Sequence, residues 1–370
     1  MKTFNFNAVI SALMIALLMG SPTKLLASTH DDNNPNTFVY DSCMYNTNTE
    51  IVAKAIPSVV YIFMERTLED FSDEFGGLMP GLPQPSAGVG TGFFINDEGY
   101  IVTNAHVVKN ASTLKIYYWE SPLEYGEAEI VGVDEIADIA VIKIDPEGPT
   151  KFVEWGDSDK IEMGDDVIAI GHGLSMPWAV TKGIISYTDR QPDKSKPMIT
   201  YNQSDTVINQ GNSGGPLFDM CGKVVGVNTL LFSRTGSFSG VGFSIPSNLA
   251  KRSVDQIIEK GHTTYPAIGI QMKAVETLEE RKKLLELGIN SVVKIEKPSE
   301  GGAAQKAGLK SDDVLVEIGG EEIYGSLDII KQLWYNEIGD ILKVKVYRDG
   351  EFMTFDVKLQ EFIFQNFEGK

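Results

Sequence analysis

The chain has 370 residues, 42% hydrophobic and 22% charged, with a formal net charge of −19 from 51 acidic and 32 basic residues. That length suits two or three domains of about 100–200 residues each, and the apolar fraction excludes a chain disordered in bulk. The acidic balance, with no basic run, excludes nucleic acid as a partner, because phosphate backbones require a clustered basic face.

At the N-terminus Lys2 supplies a short positive region and an apolar stretch covers residues 8–20. Leu25-Leu26-Ala27 before Ser28 then reads as a loose cleavage site. Residues 1–27 are expected to be a signal peptide; an uncleaved membrane anchor is the alternative, since the uncharged stretch is close to the ~20 residues a spanning helix needs. Residues 28–49, polar and containing Asp31-Asp32-Asn33-Asn34-Pro35-Asn36, read as a flexible mature N-terminus. The two cysteines, Cys43 and Cys221, allow a single pairing in an oxidising compartment, although sequence alone does not bring them together. Neither has a Cys or His neighbour at zinc-ligand spacing, so no metal and no cofactor are expected.

From residue 50 to 250, short β-rich runs alternate with Gly, Asp and Asn turns, at 59–63, 93–95, 100–102, 114–118, 139–144, 166–170 and 223–227. Many short strands and few helical patterns predict a mainly β domain, a barrel or sandwich, and disfavour βαβ units. An acidic, Gly/Pro-rich insert at 65–86 reads as a long loop. Residues 247–260 carry apolar positions at Leu249, Val254, Ile257 and Ile258, with Ser247 as an N-cap candidate and Gly261 past the end, which predicts a helix. The stretch 251–263 is then a helical linker. A second unit, 264–360, mixes strands with helical patterns near 278–287 and 327–335, leaving 361–370 as a tail.

The chemistry concentrates in three places. Gly211-Asn212-Ser213-Gly214-Gly215-Pro216 surrounds a serine with glycines, which permits a tight turn and an open approach to its hydroxyl. A serine nucleophile needs a base, and the base needs a carboxylate to fix its tautomer. Thr103-Asn104-Ala105-His106-Val107-Val108 places a histidine just after a β-run, and Ile136-Ala137-Asp138 places an acid just before another. Of the four histidines, His30 lies in the polar start and His262 in the linker, which leaves His172, within Gly171-His172-Gly173, as the competing base. Asp134 competes with Asp138 for the acid; Asp138 is preferred because it abuts the apolar run 139–144.

The order His, Asp, Ser is that of chymotrypsin-like double barrels rather than subtilisins or α/β-hydrolases. With these three motifs in that order, and with Gly88-Val89-Gly90-Thr91-Gly92-Phe93 and Gly242-Phe243-Ser244-Ile245-Pro246-Ser247, the chain from about residue 50 to 360 resembles the HtrA (Deg) serine proteases. The resemblance implies a chymotrypsin-like double β-barrel protease domain followed by an α+β PDZ domain. It implies His106 as general base, Asp138 as its orienting acid and Ser213 as nucleophile. The oxyanion hole would come from the backbone N–H groups of Gly211 and Ser213, with Asn212 between them. Ile208, Leu231 and Phe232 would lie near an apolar S1 pocket, although each reads equally well as barrel core. Two departures stand out: Gln210 where many members have proline, and His172-Gly173-Leu174-Ser175 in place of the usual Asn-Pro-Phe-Gly run.

In the second unit, Ala303-Ala304-Gln305-Lys306-Ala307-Gly308-Leu309-Lys310-Ser311-Asp312-Asp313-Val314-Leu315 resembles the signature stretch of an HtrA-type PDZ domain. Such domains add a peptide C-terminus as a strand to a sheet edge. By that resemblance Ala267, Ile268, Gly269 and Ile270 form the carboxylate loop, Met272 begins the groove, and Ile329, Ile330 and Leu333 form its other wall, core being the plain alternative for each. The expected function is ATP-independent cleavage of unfolded or misfolded exported proteins by a periplasmic or secreted enzyme, since no Gly-x-x-x-x-Gly-Lys-Ser/Thr loop is present; the resemblance adds a homotrimer built through the protease domain. A chaperone with a vestigial site and a membrane-anchored stress-sensor protease are the rival readings.

Overall fold

Strand formation in the first half follows the period-2 alternation of apolar residues. The computed structural model describes residues 47–65, 87–119, 125–173, 178–192, 198–229 and 239–362. Helix α1 (Asn48–Ala55) opens it, closed by a reciprocal capping box between Thr47 and Glu50. The strands β1 (Val59–Glu65), β2 (Ala87–Phe94), β3 (Tyr100–Thr103), β4 (Thr113–Tyr117), β5 (Tyr125–Glu127), β6 (Glu129–Asp134) and β7 (Ile139–Lys143) form one antiparallel sheet in the order β5-β4-β1-β2-β3-β7-β6. A four-residue helix, α2 (Ala105–Val108), follows β3. On β1, Val60, Ile62 and Met64 point to one core cluster while Val59 points to another. Strand β7 is buried on both faces, Ile139 and Val141 facing one cluster and Ala140 and Ile142 the other, which explains its unbroken apolar run.

The second half is a closed barrel of β8 (Asp166–Gly171), β9 (Ala179–Arg190), β10 (Tyr201–Ser204), β11 (Pro216–Phe218), β12 (Val224–Thr229) and β13 (Gly242–Pro246). Ile168, Ile170, Phe218, Val227 and Ile245 of the barrel share a cluster with Val59, Phe93, Val102 and Val141, so the two β layers meet over one core. Helix α3 (Ser247–Lys260) lays Leu249, Val254 and Ile257 onto that core, each such burial contributing about 1.5–3 kcal/mol. It stops at Gly261, whose φ of 77° forms the left-handed cap that glycine favours. Ser247 is not its N-cap: the hydroxyl donates to the Gly156 carbonyl at 2.9 Å, and Pro246 occupies the cap position.

Beyond α3, β14 (Pro266–Ala267) pairs with the last strand and β15 (Ile270–Ala274) begins a second sheet. Helix α4 (Leu278–Glu286), β16 (Val293–Pro298), α5 (Ala303–Ala307), β17 (Val314–Ile318), β18 (Glu321–Glu322), α6 (Ser326–Trp334), β19 (Ile341–Arg348), β20 (Glu351–Lys358) and β21 (Gln360–Glu361) complete it. The sheet runs β15-β16-β17-β19-β20, with β18 on β17. The β19–β20 hairpin turns on Asp349-Gly350, both at positive φ (50° and 95°), the conformation such a two-residue turn demands. Fully buried Asp313 is held by both Nε and Nη2 of Arg348, at 2.5 and 2.7 Å, so its charge is paired. The charge-rich α4 is a solvated face, as its composition suggests, with Leu284 as its buried anchor.

Candidate active site

Asp138 closes the turn between β6 and β7. Its φ of 59° is in the left-handed region, which Asp tolerates better than most residues because its short side chain bonds locally. The turn is fixed from below by Asp134. One oxygen of that 1%-exposed carboxylate accepts the N–H groups of Ile136 and Ala137 at 3.1 and 3.0 Å. The other accepts the hydroxyls of Ser253 on α3, at 2.7 Å, and Tyr265, at 2.6 Å. Burial, followed by the adjacent Asp134 carboxylate, pushes the Tyr265 hydroxyl well above its ordinary pKa, which keeps it a donor. Asp134 is therefore a structural group with its acceptor sites filled, and it is not the partner of a catalytic base. Asp134→Ala strands two hydroxyls and two N–H groups, each costing about 1–3 kcal/mol. We expect a loss of at least about 4 kcal/mol in the free energy of denaturant unfolding, against which a change under about 1 kcal/mol would count.

The Asp138 carboxylate faces α2. It lies 2.9 and 3.1 Å from His106 Nδ1, accepts the His106 backbone N–H at 3.0 Å, and takes the Thr229 hydroxyl at 3.1 Å. A carboxylate accepts only, so Nδ1 carries the proton and Nε2 keeps its lone pair for a substrate-side proton. The Asn104 side chain and the Ala105 N–H both donate to the Asp138 carbonyl, at 2.9 and 3.2 Å, so the backbones of the two segments are tied as well.

Ser213 sits in the turn before β11, 5% exposed as a whole residue. Gly214, at φ 84°, passes so close to the His106 segment that a Cβ there would stand 2.2 Å from Thr103 Oγ1 and 2.9 Å from Asn104 N. Gly211, at φ 100°, runs along the His172 carbonyl, which a Cβ would meet at 2.3 Å. Glycine is required at both positions by conformation and by space. Among the described residues the N–H groups of Gly211 and Ser213 donate to no acceptor, whereas Asn212 gives its N–H to the Asn209 carbonyl at 3.0 Å. Asn212, between them, thus has its N–H engaged, leaving Gly211 and Ser213 with donors to offer.

His172, the rival base, is fully buried between Tyr61 and Trp178, ring centroids 4.9 and 5.2 Å away, and its Nδ1 lies 3.0 Å from Thr91 Oγ1 rather than on a carboxylate. Burial lowers its pKa to about 3. The unfolded chain takes up this proton near pH 6.5 and the folded one does not, so stability is full above about pH 6.5 and falls toward pH 3. The slope is up to about 1.4 kcal/mol per pH unit from this residue. Denaturant titrations at about pH 6.5 and 4.5 should show wild type losing more stability than His172→Asn; parallel losses would contradict it.

The remaining site residues fall in different environments. Ile208 is 2% exposed in a barrel cluster with Val167, Ala169 and Leu217. Leu231, Phe232, Cys43, residues 1–27 and most of the 65–86 insert lie outside the described residues. Cys221 is disulfide-bonded. In the second sheet β15 is an edge strand, with Ile270 half-buried and Met272 exposed. Ala267 and Ile268 are buried beside Gly269 (φ 73°), and the Ile268 and Gly269 carbonyls accept from Ala304 and Ser299 at 2.8 and 2.9 Å. Ile329, Ile330 and Leu333 of α6 are buried in the core. Thr229 and Thr91 were not foreseen: Thr229 carries no motif signal, and Thr91 sits inside the quoted Gly88–Phe93 motif as one more small residue.

Residues 90–227 match the trypsin-like peptidase domain and residues 266–359 the PDZ domain. A probable periplasmic serine endoprotease, DegP-like, of Chlamydia trachomatis is 33% identical over 345 residues, covering 85% of this chain and 68% of the relative. Its counterpart in a Marinomonas species is 34% identical over 337 residues, covering 84% and 71%. Among solved structures, the HtrA-type protease AlgW with tripeptide superposes with a TM-score of 0.71 at 27% identity, covering 86% of this chain and 99% of that one.

Proposed function

Because the chain belongs to the HtrA family of serine endoproteases, with one trypsin-like and one PDZ domain, we propose that it degrades unfolded exported proteins without ATP, through an acyl-enzyme on Ser213. The observation that carries this reading is the His106–Asp138 pair, at 2.9 Å, beside a serine loop with two undonated N–H groups. Ser213 Oγ attacks the scissile carbonyl while His106 Nε2 takes its proton, and Asp138 holds the imidazolium that forms. The N–H groups of Gly211 and Ser213 donate to the developing oxyanion. His106 then protonates the leaving amine, leaving an ester on Ser213. Water, deprotonated by the same nitrogen, releases the second product.

The PDZ domain serves the same purpose at a distance. A peptide C-terminus would add to the free edge of β15, its carboxylate at the 267–270 loop. Relatives named as periplasmic support export of this chain, and among the described residues no helix is long and apolar enough to cross a membrane. We extend the reading to a homotrimer built through the protease domain, which a monomer mass in analytical ultracentrifugation would remove. The test of the function is digestion of reduced, unfolded casein by purified protein in nucleotide-free buffer. Cleavage that a serine-directed fluorophosphonate abolishes supports the reading. Intact casein after prolonged incubation, with and without an apolar C-terminal peptide, would overturn it.

A further inference from the structure

Thr91, on β2, is fully buried and has all of its polar groups engaged around the serine loop. Its N–H donates to the Ser213 carbonyl at 2.9 Å, and its carbonyl accepts the Thr103 hydroxyl at 2.7 Å. Its own hydroxyl donates to the Gly211 carbonyl at 2.6 Å. The same oxygen accepts the His172 backbone N–H at 3.1 Å and lies 3.0 Å from His172 Nδ1. A hydroxyl has one proton and two lone pairs. With the proton committed to Gly211, both His172 contacts are donations, so His172 is the Nδ1–H tautomer. Its other nitrogen, Nε2, is then a bare acceptor, and it is the buried ring atom left without a partner.

We propose that Thr91, braced by His172, is a positioning residue for the oxyanion hole: it grips the carbonyls of Gly211 and Ser213 and so sets the direction of their N–H groups. This rests on the protease reading and names how its site is held. The Ser213 N–H shares a peptide plane with the Asn212 carbonyl, and that plane lies between the two planes Thr91 grips. It is held directly by the Gly215 N–H, which donates to the Asn212 carbonyl at 3.0 Å, and the Thr91 bonds hold the planes on either side of it. The Gly211 N–H lies across a glycine Cα at φ 100°, the most rotatable joint in the loop, and the hydrogen bond to the Gly211 carbonyl fixes the far side of that joint. Misplacement by about 1 Å can cost about 100-fold in rate.

The test is Thr91→Val, which keeps the shape and removes the hydroxyl, with Thr91→Ser as the conservative restoration. With a chromogenic peptide substrate, kcat is expected to fall about 10- to 100-fold in Thr91→Val with KM changed less than about threefold. Affinity for a peptide boronate, which mimics the tetrahedral state, should fall by the same factor as kcat/KM. Thr91→Ser should recover most of both. A wild-type kcat in Thr91→Val, a KM effect alone, or no rescue by serine would overturn the proposal. Hydrogen exchange over residues 208–217 gives a readout independent of activity: it should be about tenfold faster in Thr91→Val than in Thr91→Ser, on loss of about one hydrogen bond's protection. Unchanged exchange overturns the clamp even if the protein cleaves nothing, whereas wild-type inactivity with changed exchange counts against the protease reading alone.

Discussion

Ser213→Ala is expected to lower turnover of unfolded casein by about 10⁶-fold while leaving the melting temperature close to that of wild type. The chemical part is direct: without Oγ no acyl-enzyme forms, and the residual rate comes from whatever water the site can align. The structural part is that among the described residues no hydrogen bond uses that oxygen. Ser213 is tied to its surroundings by its backbone carbonyl, which Thr91 N–H holds, and by the neighbouring Gly214 and Gly215 N–H groups, which donate to the Asn228 and Asn212 carbonyls. Alanine keeps all of these. Binding of peptide C-termini to the PDZ domain should survive as well. The measurement is a single-turnover cleavage assay run beside a fluorophosphonate label and a thermal melt. Labelling that persists in Ser213→Ala, or activity within tenfold of wild type, would place the nucleophile elsewhere.

The His106–Asp138 pair and the serine loop were legible because their motifs are local and their competitors are few. Four histidines, two of them in evidently peripheral segments, left a choice of two, and glycines at 211, 214 and 215 advertised a backbone that must fold tightly around one serine. The strands were legible for the same reason, since an alternating or unbroken apolar run states how many faces are buried. What failed to show was whatever depends on distant pairing. Thr229 reaches Asp138 across 91 positions and Thr91 reaches Gly211 across 120, and a lone threonine in a strand has no period or motif to mark it. Ser247 fits the capping rule, yet its hydroxyl found the Gly156 carbonyl on a different segment. Asp134 and Asp138 are both buried acids at the same turn, and only their partners separate them: one has its oxygens filled by Ser253, Tyr265 and two N–H groups, the other turns toward His106.

Asp138→Asn is the substitution that tests this separation, with an expected fall in kcat of about 10⁴-fold and little change in KM. Asparagine has nearly the same shape and also tolerates the left-handed φ of 59°, so the turn should hold. The carboxamide, however, offers one oxygen and one NH₂ where the carboxylate offered two acceptors. If its oxygen keeps the His106 backbone N–H, now 3.0 Å from Oδ1, its nitrogen faces Nδ1 and forces the proton onto Nε2. That nitrogen can then no longer take a proton from Ser213, and the base is disabled without being moved. Thr229, at 3.1 Å from Oδ2, resists the flipped orientation only weakly, because its hydroxyl can turn from donor to acceptor. The paired control is Asp134→Asn, which should cost stability while keeping kcat within about tenfold of wild type in the fraction that remains folded. The reverse pattern, with Asp138→Asn active and Asp134→Asn folded but inactive, would hand the orienting role to Asp134 and leave the 2.9 Å contact with His106 without a catalytic meaning.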